Sequence, residues 1–272
     1  MKNPTANNST QTSTPSQGWI LPLIVLIGVA VAIVAAFLGS GAIVGTPINQ
    51  AAGGALSADS TPLAPAGPAF RIWSVIYLGL AGYAFWQLSG TARRSAREHS
   101  LRPWALLSVL LNAAWIWMVQ LGLLFASVVV IVLLLAVLIK IMYLLGAPRT
   151  AGWVELILTD GTFGLYFGWV LVATFANIWA WLAALEVDLF RQVSLGVVGI
   201  IVAGVLGILI AVLDGGRVAP ALATAWGLGW IAVARTEGQY EAAVLTWSAA
   251  AAALLILLAT AAARFRRTTP RP

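Results

Sequence analysis

The stretch FGLYFGWVLVATFANIWAW, Phe163 to Trp181, carries no charged residue, yet it is crowded with aromatic rings and holds one amide, Asn177. At about 100° per helical residue, Thr162, Tyr166, Trp169, Ala173 and Asn177 fall on one face. Two other stretches repeat the arrangement: Phe70, Trp73, Tyr77, Ala81 and Ala84 share a face, and so do Ser108, Asn112, Trp115 and Val119. Aromatic faces of this kind hold a flat apolar ligand by stacking and dispersion, while an indole N–H, a phenol or an amide fixes its orientation. Small residues such as Ala81 and Ala173 leave volume for it. The same residue types also have a plainer use, because Trp and Tyr populate membrane interfaces and Asn bonds across helices. Trp19, Trp104, Trp153 and Trp247, at the ends of apolar runs, fit the interfacial use. Trp73, Trp115 and Trp169 share faces with polar groups, which favours a protein-facing position. The residues by themselves leave both readings open.

Composition decides what carries these faces. Of 272 residues, 61% are hydrophobic and 9% charged, against about 25% charged in soluble domains. Several continuous apolar runs reach the roughly 20 residues that a helix needs to cross a bilayer, and none alternates as barrel strands do. The reading is an all-α, polytopic transmembrane helical bundle of about eight spans, near 19–38, 69–90, 103–122, 124–145, 157–182, 194–213, 218–235 and 242–263. Leu101 to Gly146 is too long for one crossing, so a turn is required near Gly122. The polar residues 1–17 read as a disordered tail. The first apolar run exceeds the about 7–15 residues of a signal-peptide core and is read as a span, although the GSGA after it resembles a cleavage site. Residues 45–68, rich in Ala, Gly, Pro and Ser, are too many for a tight turn.

The net charge of +6 is distributed for topology rather than for nucleic acid. Arg93, Arg94, Arg97 and Arg102 fall in the connection at 91–102, and Arg264, Arg266, Arg267 and Arg271 in the tail. With eight spans, Arg149 and Arg217 lie on that same side, and both termini are expected in the cytoplasm. The opposite loops carry Asp59, Glu186, Asp188, Arg191, Arg235, Glu237 and Glu241. There is no cysteine, and the one histidine, His99, sits in the basic connection. Disulfides, thiolate chemistry, a histidine metal cluster and an intramembrane Ser-His-Asp triad are therefore out of reach.

Charges within apolar runs each raise a functional question. Lys140 is placed to snorkel. Arg71 opens the second span and either reaches the headgroups or meets an anionic ligand at the mouth. Glu155 reads as interfacial. Asp160 has two readings: part of a TDGT helix start, with Asp or Thr capping and Gly161 breaking, or a buried carboxylate used in proton or ligand chemistry. The run from Trp153 to Leu182 would rise about 45 Å as one helix, more than the hydrocarbon core, which favours the helix start. Gly199, Ala203, Gly207 and Ala211 make a small-residue stripe for close helix approach, within the chain first and as a homodimer seam second.

PAGPAFRIWSVIYLGLAGYAFWQ, LLNAAWIW and FGLYFGWVLVATFAN together resemble the TspO/MBR family, the tryptophan-rich sensory proteins related to the translocator protein. The family pattern is a Trp-x-x-x-Tyr helix, a Leu-Asn-x-x-Trp helix and a Tyr-x-x-Trp helix ending in Asn. Trp73 and Tyr77, then Asn112 and Trp115, then Tyr166, Trp169 and Asn177 match it in order and spacing. The chain lacks the Trp-Tyr-x-x-Leu-x-Lys-Pro stretch of the short members, and Thr162 stands at or near the usual proline. The resemblance covers about residues 20–185 and implies a five-helix core over 18–185. Three additional helices over 186–263 and a basic cytoplasmic tail at 264–272 resemble the longer bacterial and archaeal branch, with APALATAWGLGWIAVAR as its tryptophan-bearing helix. It further implies residence in the cytoplasmic membrane of a prokaryote. The implied ligand is a porphyrin, a haem-like tetrapyrrole or a sterol-like molecule, held by Trp73, Tyr77, Asn112, Trp115, Tyr166, Trp169, Ala173 and Asn177 with no required cofactor.

Three functions follow for comparison. A sensor or carrier for a planar hydrophobic ligand is motivated by the aromatic faces and the resemblance. A proton-coupled transporter would use Asp160, although no repeat relates the two halves of the chain. An enzyme would need a positioned acid, base, nucleophile or metal, which the sequence does not offer; light- or redox-driven ligand breakdown at tryptophan is the exception. The expected partners are the lipid bilayer and a hydrophobic small molecule, not nucleic acid.

Overall fold

The computed structural model describes residues 18–39, 46–48 and 50–268. The tail at 1–17, most of the GSGA segment and the last residues of the basic tail lie outside them. Among the described residues the apolar runs form eight long helices: α1 (Ile20–Gly39), α2 (Ile72–Trp86), α3 (Ala96–Gln120), α4 (Leu124–Leu144), α5 (Gly152–Ala184), α6 (Val193–Leu213), α7 (Val218–Ala234) and α8 (Ala243–Thr268). No strand occurs among the described residues. Six of the helices are long and apolar enough to cross a bilayer. The shorter α2 is extended at its start by a 3-10 turn, Gly67–Arg71, and α8 runs past the expected end at 263. Ile27, Leu133, Ile201 and Leu258 are exposed on the outer faces, a surface suited to lipid rather than water.

The turn required near Gly122 falls there. Gly122 takes a φ of +72°, a left-handed conformation open to glycine at no steric cost, and α4 starts at Leu124. Trp19, Trp153 and Trp247 are exposed near helix ends, as belt residues should be. Lys140 lies 5.3 Å from the Tyr143 ring centroid and 5.9 Å from that of Trp104, so its ammonium rests on aromatic faces as its stem snorkels.

The first five helices close a ring. α1 packs on α2 and α3, α3 on α4, α4 on α5, and α5 back on α2. α5 also packs on α7, which meets α8, and α8 packs along α6. α5 therefore serves two cores: Phe163, Tyr166, Trp169 and Val170 belong to the first, and Val172 to the second. Glycine makes this possible. A Cβ at Gly164 would sit 2.8 Å from that of Ala219, and one at Gly168 would collide with the Pro220 carbonyl oxygen. The stripe on α6 is used in the same way: Gly199 faces Trp179 and Leu63, and Gly207 faces Ile256 and Thr224. That face is filled within the chain and leaves no free stripe for the homodimer seam.

Overpacking a close helix contact costs about 1–3 kcal/mol. Gly168→Leu is therefore expected to lower the thermal unfolding temperature in detergent, whereas Gly229→Ala, at a position with open space around its Cβ, leaves it nearly unchanged. Equal behaviour of the two variants would contradict this packing.

Candidate functional site

Trp73, at the start of α2, is the centre of an aromatic cluster. Its ring stacks on Tyr77 one turn later, with centroids 5.4 Å apart and planes at 21°. It meets Tyr166 edge-on at 5.8 Å and Trp169 edge-on at 6.3 Å, and lies 6.3 Å from Trp115. Phe70 adds an edge contact to Trp169 at 5.8 Å. These spacings lie within the favourable range for aromatic pairs, and they join α2, α3 and α5.

Amides and hydroxyls lock the rings in place. The Trp115 indole N–H donates to Asn177 Oδ1 at 2.9 Å. An indole nitrogen only donates, so the Asn177 oxygen must face it. The Asn177 Nδ2 is then free to donate to Ser127 Oγ at 3.1 Å, while the Ser127 hydroxyl donates to the Leu124 carbonyl at 2.7 Å. Asn112 Nδ2 donates to the Tyr77 hydroxyl at 3.0 Å, and the Tyr166 hydroxyl donates to the Ser108 carbonyl at 3.0 Å. Two buried polar atoms of the cluster have no partner among the described residues: Asn112 Oδ1 and Trp169 Nε1.

Two cavities meet at this cluster. One, of about 20 Å³, is lined by Phe70, Trp115, Trp169, Ala173 and Asn177 and roofed by Ala55, Leu56, Ser60, Ala64 and Pro65 of the α1–α2 connection. That is room for about one water molecule. The other, of about 260 Å³, lies between α1, α2 and α3 and is lined by Phe37, Trp73, Tyr77 and Trp115. Phe70 and Trp115 line both and form the partition. The structure thus brings together Trp73, Tyr77, Asn112, Trp115, Tyr166, Trp169, Ala173 and Asn177. Arg71 stands apart: it is exposed and lines a separate apolar groove with Val75, Leu165, Leu222 and Trp226, which fits its headgroup reading and removes it from the mouth of the aromatic cavities. Of the other rings in the Phe163–Trp181 stretch, Phe175 packs near Trp179 and Trp181 against Phe125. Nothing in the sequence marks Ser127 beyond its place near the Gly122 turn. The roof likewise carries no signal except its length.

A second polar cluster occupies the opposite end of the first five helices. Arg97 donates to Glu155, to both oxygens of Asp160 at 3.0 Å and to the Leu145 carbonyl at 3.0 Å. Arg149 reaches Asp160 at 3.1 Å. Glu155 accepts from the backbone N–H groups of Thr150 and Ala151 at 2.7 and 3.0 Å. Beside them Glu98 accepts from Gln87 at 2.7 Å and Thr159 at 3.0 Å, and Arg102 donates to Gln87 at 2.7 Å.

This cluster corrects three expectations. Arg97 and Arg102 are not solvated loop residues, because α3 begins at Ala96 and buries both in its first two turns. Glu155 is buried rather than interfacial. TDGT is not a helix start: α5 runs through it, with a π turn at Leu156–Gly161. An i→i+5 turn brings residue i+5 beneath residue i. Asp160 is thereby set under Glu155, facing Arg97, where an α-helix would point it well to one side. It is 7% exposed.

Apolar helices with lipid-facing exteriors define an integral membrane protein, and within it aromatic and amide groups converge on two part-enclosed cavities. A family model described as TSPO-like protein matches residues 23–262, and the chain belongs to that family. The match runs through α6, α7 and most of α8, so the three C-terminal helices are part of the family pattern. Searches of curated proteins and of solved structures return no match.

Arg97→Met would leave Glu155 and Asp160 buried without their shared cation, and is expected to cost about 3–5 kcal/mol. Arg149→Met removes a guanidinium that is 40% exposed, and is expected to cost about 0–1 kcal/mol. Denaturation of both variants in the same detergent checks the ordering; equal losses would contradict the central place of Arg97.

Proposed function

We propose that this protein binds a planar hydrophobic molecule, a porphyrin or haem-like tetrapyrrole or a sterol-like compound, against Trp73, Trp115 and Trp169, and acts as its sensor or carrier. The observation that carries the reading is the pair of groups unpartnered among the described residues, Asn112 Oδ1 and Trp169 Nε1, in a cluster where the Trp115 indole and the Asn177 amide are bonded. A buried polar group without a partner costs about 1–3 kcal/mol; a flat ligand with an acceptor at its edge supplies the missing bond to Trp169, which lines the smaller cavity, and one that also carries a donor reaches Asn112 Oδ1 once the cluster parts to admit it. Neither cavity reaches the ~300–1,000 Å³ of a small-molecule site by itself. Rotation of Phe70 out of the partition joins them.

The chain is proposed to lie in the cytoplasmic membrane of a prokaryote with the ionic end inward and the aromatic site toward the opposite face. Arg97 and Arg102 are buried and do not count toward this orientation; Arg93, Arg94, Arg149, Arg217 and Arg264 support it. A proton-coupled transporter working through Asp160 has less support. Both carboxylate oxygens are held by Arg97 and Arg149, whereas a proton carrier needs a carboxylate free to gain and lose a proton.

Titration of the detergent-solubilised protein with protoporphyrin IX, followed by tryptophan fluorescence, tests the reading. Saturable quenching is expected, with a dissociation constant about tenfold or more weaker in the Trp73→Ala, Trp169→Ala double variant, as loss of two aromatic contacts implies. The same dissociation constant in both proteins would sink it.

A further inference from the structure

The α1–α2 connection is tied to helices outside the five-helix ring. Arg235, the residue that ends α7, is 0% exposed. Its guanidinium donates to the carbonyls of Ala58, Thr61 and Ala64, which lie among the roof residues of the smaller cavity. Five further contacts, three hydrogen bonds and two packing contacts, run the same way. The Ala66 N–H donates to the Trp230 carbonyl at 3.1 Å, the Trp226 indole to the Ala69 carbonyl at 2.9 Å, and the Gln239 N–H to Asp59 Oδ1 at 3.1 Å. Pro62 and Leu63 press on Gly196 and Gly199 of α6, where an added Cβ would lie 2.5 and 2.8 Å from them.

The far side of the roof faces water-accessible space. A polar vestibule of about 450 Å³, lined by Ser57, Asp59, Arg191 and Gln239, shares Ala55 and Ser60 with the smaller cavity. The roof is thus a thin wall between vestibule and cavity, and its carbonyls converge on one buried cation. Charge-assisted hydrogen bonds are the strong ones, and a guanidinium at the end of a helix also gains from the helix dipole.

We infer that α6 and α7 hold the roof of the aromatic site shut, with Arg235 as the positioning residue that ties it, so that ligand passes between vestibule and cavity only when the roof parts from Arg235. The consequence for ligand rests on the binding reading above; the tie itself does not. Because the chain contains no cysteine, a single Leu63→Cys, at a buried roof position, reports opening directly through its maleimide labelling rate. Adding Arg235→Gln is expected to speed labelling about ten- to a hundredfold. Stopped-flow quenching by protoporphyrin IX is expected to show association and dissociation both faster by a similar factor, with the dissociation constant nearly unchanged. Unchanged labelling overturns the tie, and faster labelling with unchanged ligand rates overturns the gate.

A Pro62→Cys, Gly196→Cys pair, brought within disulfide reach by a shift of about 1 Å, acts in the opposite sense and serves if Arg235→Gln does not fold. Oxidation is expected to slow ligand association and reduction to restore it; a cross-link that leaves the rates alone overturns the gate. If protoporphyrin IX binds to neither protein, the binding reading fails while the labelling rate still decides the tie.

Discussion

Gly164 and Gly168 let α7 lie against α5 at a distance that a side chain larger than hydrogen would forbid, and the rest of the architecture depends on that approach. Between apolar helices in lipid there is little hydrophobic drive; close packing and interhelical hydrogen bonds supply the association. The glycine contact gives packing of this kind and makes α5 the shared wall of two cores. It also sets the position of α7, whose far end carries Trp226, Trp230 and Arg235 to the α1–α2 connection. Without it, the five-helix ring would keep its aromatic cluster but lose the neighbours that cover it.

The two ends of the ring are built on different physics. At one, Arg97 gathers Glu155 and Asp160 in a desolvated network, and removing it leaves both carboxylates without their shared cation. At the other, rings stacked around Trp73 and a few amide contacts surround cavities that are only partly filled. A densely paired end opposite a roofed one with unpartnered groups suits the proposed ligand site, because the bundle stays held at one end while ligand enters at the other.

Much of the site was legible in the sequence because a single helix face obeys a fixed rotation per residue. Trp73 with Tyr77, Asn112 with Trp115, and Tyr166, Trp169 and Asn177 each project together, and they do converge. The Gly122 turn was legible because an apolar run longer than a bilayer must break somewhere. The ionic end was not. The π turn changes the rotation within α5, so Asp160 lands on a face that regular periodicity denies it, and an arginine-rich connection looks solvated until its acidic partners from α5 are in view. Arg235 was hidden for another reason: its partners are backbone carbonyls far away along the chain, and carbonyls leave no mark in a sequence. Ser127 needed the fixed amide of Asn177 before its role could be seen.

The central claim is that the aromatic cluster between α2, α3 and α5 is where a planar ligand lies. The most direct measurement is an experimental structure of the protein with protoporphyrin IX bound. The account predicts the macrocycle against Trp73 and Trp169, with Phe70 displaced from the partition and Asn112 Oδ1 or Trp169 Nε1 bonded to it. A macrocycle found instead in the lipid-facing groove beside Arg71, with the two cavities and Phe70 unchanged, would contradict it.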